Sequence, residues 1–227
     1  MRKDVCSLLV LLAFSSVCFA ADAVDPVIAV VLQKEIHKSA IQPGEDELKQ
    51  WGPDSDKEMY RNWLRIARAG LLAQVIVEPL FDMYAAQHSI IATDEETTEF
   101  IKYWEVTGQK NPGAPVSDKS IAVAKEKIRD WKIIKSLHAK YGGRSLPGFA
   151  TLSPVDAIRD FAYEEEKKGS FKIIDAQTRE LFKAVMEPST DNFSMAPYKF
   201  VSEIETQKYY EMPWWLRYMK AAKAHGG

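Results

Sequence analysis

Residues 54–88, DSDKEMYRNWLRIARAGLLAQVIVEPLFDMYAAQH, contain the pattern that decides the fold class. Asp54 or Ser55 is a suitable N-terminal cap for a helix, and the apolar residues that follow recur at spacings of three and four. The pattern predicts a long helix that ends near His88. The second half of the stretch is apolar almost all round, so it should be buried, and Pro79 is expected to kink or divide it. The apolar residues that carry the first half are Tyr60, Trp63, Leu64, Ala67, Leu71, Leu72, Val75 and Ile76.

Start and stop signals divide the rest of the chain into further helices. Thr93 and Glu96 have the spacing of a capping box, Ser117 and Asp175 are N-cap residues, and Gly169 suits a C-terminal cap. The resulting helices have approximate bounds 26–38, 45–50, 93–104, 117–141 (ended by Gly142 and Gly143), 154–168 (capped by Ser153, with Pro154 at the first helical position), 175–186, 200–210 and 213–224.

Little of the chain reads as strand. Residues 107–116 and 187–197 are predicted loops, and the alternation typical of a strand extends no further than residues 170–174. The predicted fold class is therefore all-α, an irregular array of helices.

The N-terminus has the features of a cleavable export signal. Arg2 and Lys3 precede an apolar run over residues 5–14, and the small residues Cys18 and Ala20 stand where a peptidase expects them. We expect cleavage after Ala20 and a mature protein in the periplasm or outside the cell. An uncleaved anchor and a lipoprotein attached through Cys18 are the alternatives.

Composition restricts the chemistry of the mature chain. Removing residues 1–20 takes away Arg2, Lys3 and Asp4 and leaves 28 basic and 31 acidic residues, and this net charge of −3 argues against general nucleic-acid binding. Both cysteines, Cys6 and Cys18, lie in the predicted signal. The mature protein would then contain neither a disulfide nor a thiol nucleophile, and its core must hold by packing alone.

Motifs of catalysis and of metal binding are missing from the sequence. No two of His37, His88, His138 and His225 have the spacing of a helical zinc site, and there is no HExxH motif, no GxSxG motif and no glycine-rich phosphate loop. We therefore predict no metal, no cofactor and no catalysis. The alternative is an enzyme whose site is assembled only by folding, from Glu78, His88, Glu96 and His138.

Two surface patterns suggest binding. Arg61, Arg65 and Arg68 lie on one face of the long predicted helix and could hold a carboxylate or a phosphate, although a solvated face with Glu58 as partner is the simpler interpretation. The final third is rich in aromatic residues, which suits a peptide-binding surface. The alternatives for the final third are a tail docked on the helical core and, because Lys220 and Lys223 follow Trp214 and Trp215, contact with a membrane surface.

A family resemblance rests on four segments in order. They are LLAQVIVE at residues 71–78, YAAQHSI at residues 84–90, the turn ATDEE at residues 92–96, and the helix over residues 125–141. Over residues 60–141 the chain resembles the N-terminal domain of SurA-like periplasmic chaperones, relatives of parvulin-type prolyl isomerases.

The resemblance implies binding without catalysis. In that family an isomerase domain, marked by paired histidines and a glycine-rich stretch, would follow near residue 145, and residues 144–227 contain neither mark. What remains is the family's capacity to hold unfolded or extended chains in apolar grooves. We therefore expect a SurA-N-like helical domain over residues 21–144 and an aromatic helical region over residues 145–227, packed on the first.

The leading functional hypothesis is an exported chaperone-like protein whose partner is an unfolded polypeptide. The alternatives are a structural or assembly partner of an envelope protein that docks through its aromatic tail, and a prolyl-isomerase relative, which the missing parvulin motifs disfavour. The candidate peptide-binding residues are Trp63, Trp104, Trp131, Trp214 and Trp215.

Overall fold

The computed structural model describes residues 25–51, 57–147, 151–187 and 199–224. Most of these residues are helical, so the predicted class is correct in its main feature. The helices are α1 (Glu45–Trp51), α2 (Lys57–Gln87), α3 (Asp94–Val106), α4 (Asp118–Tyr141), α5 (Val155–Lys168), α6 (Ala176–Met186), α7 (Glu203–Tyr210) and α8 (Trp214–Ala224), with a short 3₁₀ helix at Lys38–Ile41.

A small antiparallel sheet departs from the all-α prediction. Strand β1 (Val27–Val31) lies between β2 (Lys34–His37) and β5 (Phe171–Ile173). The predicted helix over residues 26–38 is therefore wrong, whereas the strand pattern over residues 170–174 is confirmed. A second, two-stranded pairing joins β3 (Leu146–Pro147) to β4 (Leu152–Ser153).

The hairpin between β1 and β2 escaped prediction because its turn carries no turn residues. Leu32 and Gln33 adopt positive φ angles of 48° and 67°, a conformation that favours glycine, asparagine or aspartate in such turns. In β1, Ile28, Ala29 and Val31 are all buried, so the strand lacks the simple alternation of a half-buried strand.

Helix α2 is 31 residues long and contributes to the larger of two clusters of buried side chains. Most of its buried residues follow one stripe, and the helix continues through Pro79. The predicted caps Asp54 and Ser55 lie outside the described residues. The stripe consists of Ala69, Leu72, Ile76, Leu80 and Tyr84.

The predicted caps of the next two helices are confirmed. Thr93 and Glu96 form the reciprocal capping box of α3, with 2.8 Å from the Thr93 amide to Glu96 Oε2 and 3.2 Å from the Glu96 amide to Thr93 Oγ1. The Ser117 hydroxyl accepts a hydrogen bond from the Ser120 amide at the start of α4. Gly142 ends α4 with a positive φ of 67°.

The later helices also begin and end close to prediction. Gly169 ends α5 in the left-handed conformation, and Asp175 caps α6 by accepting the Thr178 amide. The start of α5 differs by one position, since Pro154 rather than Ser153 occupies the N-cap. The predicted loop over residues 187–197 falls almost entirely outside the described residues.

Two clusters of buried side chains hold the elements together. The sheet core lies between the three-stranded sheet and helices α2, α4, α5 and α6. The aromatic core joins α3, α4, α7 and α8. Residues from both sides of position 144 contribute to each cluster. The aromatic core consists of Phe100, Tyr103, Ala124, Ile128, Trp131, Tyr210 and Trp215.

Candidate functional site

Four of the five candidate tryptophans come together where α8 docks on α3 and α4. Trp215 contacts the rings of Phe100 and Trp131 edge-on, with centroids 5.2 Å and 5.4 Å away. Trp214 meets Tyr103 at 5.0 Å, also edge-on. Trp104 packs against Phe100 from within α3. Edge-to-face contacts at these distances are favourable arrangements for aromatic rings.

The interior of this cluster is inaccessible to a ligand. Trp215 is 0% exposed and Trp131 is 7% exposed, so both belong to the core. Trp63 lies apart, on α2, where it stacks on Tyr60. The five tryptophans therefore do not line one groove. The physical reason is that α8 turns its aromatic residues toward α3, where burial of large rings is more favourable than exposure to water.

Only the edge of the aromatic core faces solvent. Trp104 and Trp214 are half-buried, and Tyr218 is 52% exposed with its ring 5.5 Å from that of Tyr103. Burial raises the pKa of Tyr103 above its usual value. Because α8 packs its indoles against α3, the residues that would enter a bilayer surface are largely engaged inside the protein.

The opposite flank of α3 forms an apolar groove. A cavity of about 450 Å³ opens between α3 and the start of α4. Ile101, Val116 and Ile121 supply its apolar lining, and Val116 is 38% exposed. Val116 precedes the N-cap Ser117 and Ile121 follows four residues after it, the spacing of a hydrophobic staple. We refer to this cavity as the staple groove.

Charged residues of both signs surround the staple groove. Asp94 pairs with Lys125 at 3.0 Å, and Glu105 pairs with Lys110 at 2.7 Å. Lys102, from α3, also lines the cavity. An apolar floor with a mixed charged rim can receive an apolar side chain and offer polar contacts to the chain on either side of it. This site was not among the sequence-based predictions, although the staple spacing of Val116 and Ile121 was a signal for it.

A second cavity, of about 600 Å³, separates the end of α4 from α7. His138 and Tyr210 line it, and their ring centroids are 5.4 Å apart. The Tyr210 hydroxyl donates to the Leu152 carbonyl at 2.7 Å, and His138 Nε2 lies 3.3 Å from the Gly143 carbonyl. Burial raises the pKa of Tyr210. Both side chains therefore interact with main-chain carbonyls, of strand β4 and of the segment after α4, which is a structural use of these groups.

The residues of the enzyme alternative are not brought together. Glu96 caps α3 and pairs with Lys132 at 2.6 Å, His88 is exposed beside Tyr84 at the end of α2, and Glu78 is exposed. His138 lines the second cavity, where it bonds to the Gly143 carbonyl.

In residues 25–51, 57–147, 151–187 and 199–224, no three His, Cys, Asp or Glu residues are grouped so that they could hold a metal ion. Within the same ranges, no helix has the length and apolar character needed to cross a membrane.

Comparisons with protein-family models, with curated proteins and with solved structures found no match.

Proposed function

We propose that this protein is an exported, non-catalytic, chaperone-like protein that holds unfolded or extended polypeptide segments. The observation that carries the proposal is the staple groove, where Ile101, Val116 and Ile121 form an apolar floor inside a charged rim. The half-buried edge of Trp104 and Trp214 lies on the other face of α3 and offers a second apolar contact. The resemblance to SurA-like chaperones and the predicted export signal support the same proposal.

The location of the groove determines which side chain would anchor a client. An apolar side chain entering between Val116 and Ile101 would replace the water that now covers them, and burying apolar surface provides about 25 cal/mol for each Å² removed from water. The main chain of the client would then lie along the rim, near Lys102 and the Asp94–Lys125 pair. Binding of this kind selects apolar segments without reading a particular sequence.

Aggregation of an unfolded outer-membrane protein tests the proposal. The wild-type protein at a few-fold molar excess is expected to suppress light scattering. Val116→Glu places a carboxylate on the groove floor, where desolvation opposes it, so we expect client binding to weaken about tenfold. Ile174→Glu is the matched control, because Ile174 is also an exposed apolar residue, at 56%, but it follows β5 on the sheet side.

Two measurements keep this test decisive. Thermal unfolding of each variant shows whether Val116→Glu has lost the staple as well as the groove, and Val116→Thr preserves the shape of the side chain while adding a hydroxyl. A wild-type protein without effect on scattering would refute the proposal. Equal client binding by the Val116→Glu and Ile174→Glu variants would show that clients do not bind in the staple groove. We expect no prolyl isomerase activity in a peptide assay.

An assembly role is the second candidate, favoured by the exposed edge of α8. Tyr218 is 52% exposed next to Trp214, which suits docking of one envelope partner. Deleting the last helix is a poor test, because it would remove Trp215 from the aromatic core. Tyr218→Ala leaves that core in place. Loss of a stoichiometric co-purifying protein from this variant, with client binding unchanged, would favour assembly over chaperoning.

A further inference from the structure

A third cavity, of about 300 Å³, is separate from the two described above. The cavity lies where the 3₁₀ helix Lys38–Ile41, α2 and α6 meet. Its lining combines apolar side chains with a concentration of positive charge. We propose that it binds a carboxylate attached to a small apolar group, and we call it the arginine cavity. It shares no residue with the staple groove.

Positive charge converges on the cavity from two elements. Arg61, Arg65 and Arg68 reach it from one face of α2, and Lys38 reaches it from the 3₁₀ helix. In the described part of the chain, Lys38, Arg61 and Arg68 form no ion pair with a carboxylate. With respect to the described residues, the charge of these three side chains is therefore available to a ligand.

Arg68 is already oriented by a neutral group. Its Nε and Nη2 donate to the Gln42 side-chain oxygen at 3.1 Å and 2.7 Å. An amide oxygen fixes the plane of the guanidinium group without cancelling its charge. Since a guanidinium has five donors, donors remain for a carboxylate in the cavity. Preorganisation of this kind lowers the entropy lost when a ligand binds.

One carboxylate, Asp175, also lines the cavity. Its Oδ2 accepts the Thr178 amide at 2.7 Å and the Thr178 hydroxyl at 2.8 Å, which caps α6. The Thr178 amide at the start of α6 is thus already bonded to the N-cap Asp175. The attraction for an anion therefore comes from the basic side chains. Lys38, Arg61 and Arg68 outnumber the one carboxylate of the lining, Asp175, so these residues give the cavity a net positive charge.

The floor of the arginine cavity is apolar. Ile41 is 5% exposed, and Leu64 and Leu181 are half-buried along the same wall. A fully hydrated inorganic anion would gain nothing from this floor. A carboxylate with an aliphatic group matches both the basic side chains and the apolar floor. The carboxylate would bind the arginines while the aliphatic group packs against the leucines. The C-terminal residue of a polypeptide and a short fatty acid both have this chemistry.

Titration of the ¹⁵N-labelled protein with N-acetyl-leucine tests the assignment. We expect amide shifts at Gln42, Gln177 and Thr178 and a dissociation constant on the order of 1 mM, as for a small ligand. N-acetyl-leucinamide lacks the charge and should cause much smaller shifts at these residues. Hexanoate and hexanol repeat the comparison for a fatty acid, so the stronger of the two acids identifies the source of the carboxylate.

Substitutions separate a specific site from general attraction. Arg61→Gln should weaken binding of the acid about fivefold to tenfold and leave the amide unchanged, whereas Arg61→Lys should retain part of the affinity. Lys220→Gln removes an equally exposed cation on α8 and should have no effect. Equal shifts with acid and amide, absence of shifts at these residues, or equal loss in the Lys220→Gln variant would each overturn the assignment. The staple-groove variant Val116→Glu should bind the acid normally.

Discussion

The sheet core and the aromatic core are built from different materials. The sheet core is filled mainly by aliphatic side chains with no polar atom, such as Ile28, Leu72 and Ile76, each 2% exposed or less. The aromatic core is filled by rings, two of which bring an indole N–H that finds no hydrogen-bond partner in the described part of the chain, on Trp131 and Trp215. A buried donor without a partner costs about 1–3 kcal/mol. The stability of the aromatic core therefore depends more on a few large ring contacts than the stability of the sheet core does.

Helix α4 belongs to both cores. Ile133 and Leu137 face the sheet core, and Ala124, Ile128 and Trp131 face the aromatic core. A shared helix couples the two cores, and we expect them to unfold together. Tryptophan fluorescence monitors mainly the aromatic core, because most of the indoles lie there, whereas far-ultraviolet circular dichroism follows all helices. The difference between the two signals measures the coupling.

Loss of Trp215 should be the most damaging change. Trp215→Ala leaves a cavity among Phe100, Trp131 and Trp214, and truncation of a buried tryptophan costs about 3–5 kcal/mol. Trp215→Phe keeps much of the ring and removes the unpaired N–H, so its cost should be clearly smaller. Denaturant unfolding measures both values. If Trp215→Ala costs no more than the exposed Tyr218→Ala, the aromatic core contributes little and the comparison fails.

Gly143 lies just after the end of α4, in a position where a side chain would be strained. Its φ is +89°, and a Cβ atom added there would lie 2.5 Å from the Cβ of Asp156. Asp156 cannot easily move away, because its Oδ2 accepts the Arg144 amide and Nε at 2.8 Å each. We expect Gly143→Ala to cost about 2–3 kcal/mol by combining backbone strain with this clash.

Gly108 is the matched control for this substitution. It has a similar φ of +71° with nothing near its added Cβ, so Gly108→Ala measures the backbone strain alone, about 1–2 kcal/mol. Thermal unfolding of both variants gives the two losses of stability, and the difference between them is the cost of the clash with Asp156. Equal costs would show that the contact between Gly143 and Asp156 is not tight.

Local signals predicted the helices well, and they failed where the deciding contacts are distant in sequence. Thr93, Ser117 and Asp175 cap helices within their own neighbourhoods, so the chain itself specifies these starts. Strand β1 is different, because it pairs with β5 on the far side of the sequence: Val31 lies opposite Phe171. No local pattern reveals such a partner.

The sequence shows which aromatic residues the final third contains, but it does not show which of them are buried. Of the five candidate tryptophans, Trp104, Trp131, Trp214 and Trp215 lie in or against the aromatic core, because a ring that suits a binding surface also suits a core. Only the direction in which α8 docks decides between these two roles. The staple groove differs from the aromatic core in this respect. Val116 and Ile121 have the spacing of a hydrophobic staple, which could be recognised from the sequence alone.

Stabilising the sheet core tests the coupling from the other side. Gly70 is exposed in the interior of α2, and an added Cβ would meet nothing within 4 Å. Gly70→Ala should therefore stabilise the protein by about 0.5–1 kcal/mol, since alanine loses less backbone entropy in a helix. If the cores are coupled, the unfolding midpoint should rise by the same amount whether it is followed by fluorescence or by circular dichroism. A shift in circular dichroism alone would show that the cores unfold separately.

The smallest expected effect concerns Glu164, which connects α5 to the end of the shared helix. Its carboxylate accepts hydrogen bonds from Lys140 Nζ and the Tyr141 hydroxyl, and it pairs with Lys168. The bonds with Lys168, Tyr141 and Lys140, in that order of size, lower the pKa of Glu164 to about 2. Stability from a lowered carboxyl pKa is present above the unfolded value, near 4.5, and is lost as the pH falls toward 2.

Glu164→Gln should therefore destabilise the protein slightly at pH 7 and progressively less below pH 4.5. The side chain is 36% exposed, so the effect should stay below about 1 kcal/mol and shrink further in high salt. Glu180→Gln is the control, because that carboxylate is 70% exposed and pairs with Lys183 of its own helix. Melting temperatures of the wild type and both variants between pH 3 and pH 7 give the comparison. If the gap between the wild type and Glu164→Gln is the same at every pH, the carboxylate charge does not hold α5 to the helix that the two cores share.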